Sequence, residues 1–165
     1  MNRFPLKPAT AVLAATLLAA CSANAPREAQ PAPQVRQVTQ SAHCGLTGPG
    51  VAPVSSPEAL ENLLGVSGQN MATGVIRQVD LASEQLIIVT LGQKPTAGYS
   101  VGLQDVQWQE PVLKLAMQVN SPAPDMMVAQ VITSPCVVLA VKGDHWQRLE
   151  VSGLTPQPIV KAAGK

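Results

Sequence analysis

The chain has 165 residues, with 11 Lys+Arg against 10 Asp+Glu and only 2% aromatic side chains. So even a charge balance offers no basic field to attract nucleic acid, which is thereby excluded as a partner. The length suits one small domain, and its core has to be built from Val, Leu, Ile, Ala and Met.

Arg3 and Lys7 precede an apolar run over residues 9–20, interrupted by Thr10 and Thr16, and Cys21 follows. Charged, apolar and small-residue regions in that order make a removable export signal. The run is also too short for the roughly 20 apolar residues that a spanning helix needs. Residues 18–21, Leu-Ala-Ala-Cys, resemble the bacterial lipobox. The resemblance implies cleavage before Cys21, diacylglycerol on its thiol and anchorage to a membrane. Ser22 in the next position implies sorting to the outer membrane. Loss of Arg3 and Lys7 with the signal leaves nine basic against ten acidic side chains.

The expected organisation is a signal peptide over 1–20, a lipidated Cys21 with a tether over 21–43, one domain over 44–154 and a disordered tail over 155–165. Residues 22–41 are small, polar and Pro-rich, with too little apolar surface to offset the entropy of ordering them. With Cys21 lipidated, Cys44 and Cys136 remain in an oxidising compartment and are expected to pair. Such a bridge stabilises by about 4–5 kcal/mol in the chain-entropy account.

Ser56 is an N-cap candidate, Pro57 suits the first helical position, Glu58 complements the first turn and Gly65 stands past the end. Leu60, Leu63 and Leu64 share one face, so one short amphipathic helix is expected here. From Gly68 onward the pattern is β. Residues 74–81 and 85–91 are expected to form a hairpin about Ala82, Ser83 and Glu84, and strands are expected over 99–103, 112–119, 128–132, 136–142 and 146–151. Turn residues punctuate them at 93–95, 121–125, 134–135 and 143–144. Val112, Lys114, Ala116 and Gln118 alternate with Leu113, Leu115, Met117 and Val119, the pattern of a sheet with one dry face. Close strand spacing without crossover helices predicts an all-β domain, an antiparallel sandwich or small barrel, with one short N-terminal helix.

Between two of these strands lie Gly92, Lys94, Pro95, Thr96, Ala97, Gly98 and Tyr99, the last being the chain's sole tyrosine. With the strands around them and with Thr133, Ser134 and Pro135, they resemble the C-terminal domain of the protease-complex subunit PrcB family over about residues 74–142. Ala97 stands where that family often has glycine, and Cys136 where an aromatic is common. The resemblance implies a non-catalytic envelope module that associates with a protease. Lys94, Pro95, Thr96, Gly98 and Tyr99 are then the candidate partner-binding residues. The same loop is similar, more weakly, to the Asn-Pro-Thr-Thr-Gly-Tyr loop of chagasin-type cysteine-protease inhibitors, with Lys94 and Ala97 as departures. Physically, Pro95 fixes φ, Gly98 permits close backbone approach and Tyr99 offers amphipathic contact area. A plain turn, with Tyr99 filling the core, accounts for the same residues.

Other signals are weaker. Gly98-Tyr99-Ser100-Val101-Gly102 spells a nucleophile elbow, and His145 with Asp105 or Asp144 would complete a triad. An elbow, however, joins a strand to a helix, and Ser100 lies within a β run. His43 beside Cys44, and His145 beside Asp144, fall short of the three or four clustered ligands of a zinc site. Met126 and Met127 read as core or edge packing rather than as copper ligands. The sequence therefore predicts a lipid-anchored binding module with no catalytic residue, metal or cofactor. Its partners are a membrane, through the anchor, and an envelope protein such as a protease. A secreted protease inhibitor and a purely structural envelope lipoprotein are the alternatives, and the oligomeric state is left open.

Overall fold

A computed structural model describes residues 31–163. The signal peptide and Cys21 lie outside the described residues. Among those described, no helix is long and apolar enough to cross a membrane. Eight strands frame the fold among the described residues: β1 (Gln34–Ser41), β2 (Pro49–Val54), β3 (Glu84–Leu91), β4 (Ser100–Gln109), β5 (Val112–Asn120), β6 (Cys136–Lys142), β7 (Arg148–Ser152) and β8 (Ile159–Ala162). Two short helices, α1 (Pro57–Leu64) and α2 (Thr73–Arg77), precede β3. The strands form two four-stranded sheets, ordered β1-β6-β3-β2 and β4-β5-β7-β8.

The sheets pack face to face. Ile87, Val89 and Leu91 of β3 and Val137, Leu139 and Val141 of β6 meet Leu113, Leu115 and Met117 of β5 and Leu149 and Val151 of β7. Because side chains alternate sides along a strand, Leu86 and Ile88 of β3 and Val138 and Ala140 of β6 face the opposite way. There they form a second core with Leu60 and Leu64 of α1, Ile76 of α2, and Met71 and Val79. The domain is thus a β-sandwich with a helical layer over one sheet. β3 and β6 are buried on both faces, which is why they read as unbroken apolar runs.

Helix α1 follows the expected caps. Ser56 Oγ accepts from Ala59 N at 3.2 Å, Pro57 opens the helix, and Gly65 N donates to Glu61 O at 2.9 Å. Arg77 of α2 reaches back with Nε and Nη2 to the two Glu61 carboxylate oxygens, both at 2.8 Å. That fork holds the Glu61 carboxyl below the usual carboxylate range. Residues 74–81, expected as a strand, contain α2 and a turn instead. Only Ile76 of α2 is buried, so a single anchoring side chain outweighs the β preference of Val75 and Ile76.

Three further strands lie where none was expected. β1 falls within the expected tether, so the ordered domain begins about ten residues earlier; its partner is the apolar β6, with which it pairs antiparallel. A bulge between Gln37 and Thr39 changes its register. Val35 joins the core between the sheets and Val38 the helix-side core, as positions three apart on a strand do. β2 carries Pro49 and Pro53, tolerated because it is an edge strand bonded on one side to β3. β8 orders residues 159–162 of the expected tail against β7.

One pairing also departs from a purely antiparallel arrangement, since β5 and β7 run parallel. The connection between them passes through β6 in the opposite sheet, so a strand performs the crossover that a helix makes in a βαβ unit. The two sheets also touch where β1 faces β4. Both strands bulge there, and Leu103 N donates to Gln37 Oε1 at 3.2 Å across the gap.

Candidate functional site

Four chain segments end or begin together at one end of the sandwich: β3 ends, β4 begins, β5 ends and β6 begins. Residues 92–99 connect the first two strands and residues 121–135 the last two. Leaving β3, the chain turns at Gly92, whose φ is +67°. A Cβ there would lie 2.7 Å from the Gly48 carbonyl carbon and the Pro49 nitrogen, so glycine is required by both conformation and space. Lys94 then pairs antiparallel with Thr133, with Lys94 N to Thr133 O at 2.8 Å and the reciprocal bond at 3.0 Å. Ala97 N donates to Ala129 O at 3.0 Å. Gly98, at φ +91°, passes so close to Pro122 that a Cβ would meet the proline Cβ at 3.0 Å.

Thr133, Ser134 and Pro135 knit this end together. Thr133 Oγ1 donates to Thr96 O at 3.0 Å, holding the loop from behind. Buried Ser134 Oγ accepts from Cys44 N at 3.0 Å and Gly45 N at 2.9 Å, and Pro135 O accepts from Leu91 N at 2.9 Å. One tripeptide therefore ties the 92–99 loop, the Cys44 segment and the end of β3 to the start of β6. The expected Cys44–Cys136 disulfide is present, with Cα atoms 6.0 Å apart.

The loop residues do not face one way. Pro95 and Gly98 are exposed, while Lys94, Thr96 and Tyr99 are half-buried. Tyr99 packs against the inter-sheet core, and Lys94 Nζ sits 5.7 Å from the centroid of its ring, within cation–π range. Tyr99 is therefore a half-buried side chain at the edge of the core. The larger apolar surface comes from the buttressing segment: Met126 is 57% exposed, Met127 99%, Val131 49% and Ile132 67%. Met126 and Met127 do not pack in the core or against an edge as expected, because the turn over residues 123–126, closed by Met126 N to Ala123 O at 3.0 Å, carries them out beyond the sheet end. Nor do residues 128–132 form the expected strand, although they run antiparallel beside residues 94–97. This apolar ridge is not legible in the sequence, because exposure depends on what the rest of the chain covers. Its traceable signal was a β pattern directly after a Pro-rich turn.

Residues 86–142 match the family model described as PrcB C-terminal. The match covers under half of the chain, and it supports the resemblance seen in the loop and in the Thr133-Ser134-Pro135 tripeptide. In space the PrcB-like segment comprises β3 to β6, so it contains both central strands of the first sheet, the 92–99 loop and the whole ridge. No curated protein and no solved structure matches the chain.

The elements of a hydrolytic triad are separate in their bonding. Ser100 Oγ accepts from Asn120 Nδ2 at 3.0 Å, Asp105 accepts from Gln107 at 3.1 Å, and His145 Nδ1 contacts Asp144 Oδ1 within its own turn at 3.0 Å. His43 lies beside the disulfide, and among the described residues no cluster of three or more metal-ligating side chains occurs. A cleft of ≈ 170 Å³ lies at the other end of the sandwich, between Leu81, Val141, Trp146 and Ala163. Its carboxylates are engaged, Glu84 with Arg36 and Asp144 with His145, so it offers contact area but no reactive constellation.

Proposed function

We propose that this chain is a non-catalytic binding module, held at the cell envelope by lipid on Cys21, that associates with a protease complex through the end formed by residues 92–99 and 121–135. The observation that carries this reading is the ridge of Met126, Met127, Val131 and Ile132, solvent-facing within the segment that matches PrcB. Large apolar side chains gathered at one end of a small domain mark an interaction surface, and methionines adapt readily to a partner's shape.

Chain direction supports a protein rather than the anchoring bilayer as the occupant. β1 enters the fold at Gln34, opposite Lys142, and reaches the ridge end only at Ser41, opposite Cys136. Its eight residues span about 25 Å at 3.3 Å each. The chain therefore enters the domain at the end remote from the ridge.

Full-length lipidated chain, captured from detergent-solubilised envelope, should retain a protease. Met127→Asp should release that protease while leaving the urea midpoint unchanged, since a side chain 99% exposed contributes almost nothing to folding. Wild-type chain that retains no protease, or a Met127→Asp chain that retains as much, would sink the reading. Inhibition of a papain-like protease by the purified domain would instead favour the inhibitor alternative.

A further inference from the structure

We infer that residues 127–132 are an unpaired strand edge completed by an extended, apolar segment of the protein partner, so that recognition proceeds by strand addition. This rests on the proposed function and specifies how the partner is held. Residues 128–132 carry the pattern of a strand, yet within this chain they remain unladdered on the outer side. Their inner side is engaged: Ala129 O accepts from Ala97 N at 3.0 Å, and Thr133 exchanges both backbone bonds with Lys94. Backbone groups alternate sides along an extended chain, so with Thr133 turned toward Lys94, Ile132 and Gln130 present theirs outward. Among the described residues, no acceptor is bonded to the backbone N–H of any residue from 127 to 132.

Side chains indicate the occupant's chemistry. Residues 126–133 bear no charge, and Met127, Val131 and Ile132 are largely exposed. An edge of this kind lacks the lysines, prolines and bulges with which sandwich edges are usually protected. Elsewhere the fold has those protections: two prolines in β2, and facing bulges in β1 and β4. The combination of a free row of amides and uncharged apolar side chains fits an extended peptide backbone that carries apolar side chains of its own. A bilayer's hydrocarbon core offers no donors or acceptors to such an edge, and β1 enters the fold at the far end.

The discriminating substitution is Gln130→Pro, compared with Gln130→Ala. Proline removes an amide that bonds nothing within the fold, while alanine keeps it. Two probes are used with the full-length chain: the captured protease, and a soluble synthetic peptide of about ten residues alternating valine and threonine, the length of a typical added strand. Expected results are slowed hydrogen exchange at 127–132 with either probe, at least about tenfold weaker binding for Gln130→Pro, and less than about twofold change for Gln130→Ala. If the protease is retained but Gln130→Pro binds it as wild type does, strand addition is overturned while the proposed function stands. If no protease is retained, the proposed function fails, and the peptide decides this inference alone: protection at 127–132 upholds the edge, and none overturns it. A dimer of the chain that Gln130→Pro dissolves would assign the edge to a second copy and overturn the partner strand.

Discussion

The two sheets bury their strands in different ways. In the first, β3 and β6 have apolar side chains on both faces, one set toward the second sheet and the other toward α1 and α2. In the second, Leu113, Leu115 and Met117 face inward while Lys114 and Gln118 stay on the outer face of β5. A sheet in the middle layer tolerates no polar alternation, whereas an outer sheet requires it for solubility. The disulfide belongs to the middle layer's outer core, where Cys136 opens β6 and Cys44 lies among the helix-side residues.

The bridge gives the largest test of this contrast. It closes a loop with a sequence separation of 92, so Cys44→Ala with Cys136→Ala should lower stability by about 4–5 kcal/mol. Urea unfolding of the two forms measures it, and a loss below about 1 kcal/mol would mean that the helix-side core holds without the bridge.

Next come single core truncations. Ile87 and Ile88 are neighbours on opposite faces of β3, each fully buried. Ile87→Ala and Ile88→Ala should each cost about 3 kcal/mol. Lys114→Ala on the outer face of β5 should cost under about 0.5 kcal/mol. Should Ile88→Ala prove as mild as Lys114→Ala, the helical layer is a loose covering rather than a second core. At the loop, Gly92→Ala forces a Cβ against the Gly48–Pro49 backbone and a left-handed φ on alanine. We expect a loss of about 1–3 kcal/mol and faster amide exchange at Lys94 and Thr133; unchanged exchange would show that the loop reaches its position without the turn.

The same contrast explains what could be seen in the sequence. β3, β5 and β6 were legible because burial on both faces or on one writes itself as a continuous run or a clean alternation. α1 was legible from Ser56, Pro57 and Gly65. β1 was not, since a half-exposed edge strand with a bulge keeps neither period. Pro49 and Pro53 disguised β2, and β8 is only four residues long. The parallel β5–β7 pair depends on where the chain goes between them, which no local pattern records. At the site, residues 94–99 stood out by their turn chemistry and their family likeness. Their backing by Thr133, and the exposure of Met127, are products of tertiary structure alone.

Ion pairs give the smallest effects and the finest comparison. Across the first sheet, Arg36 grips Glu84 with Nε at 3.2 Å and Nη2 at 2.7 Å, spanning β6 to join β1 to β3. On the second sheet, Lys114 faces Glu150 in the β5–β7 register at 3.8 Å, and Arg148 shares that carboxylate at 3.1 Å. A two-point fork fixes geometry as a single long contact does not, and Glu84 is the less exposed acid, at 15% against 23%. Substituting methionine preserves the apolar stem in each case. Arg36→Met should therefore cost up to about 1 kcal/mol and Lys114→Met close to zero, because Arg148 still serves Glu150. Salt near 1 M, where screening acts over about 3 Å, should erase most of the small Lys114 difference and less of the Arg36 one. Equal costs at low salt would show that the fork adds nothing, and that β1 is held to the sheet by its ladder with β6 alone.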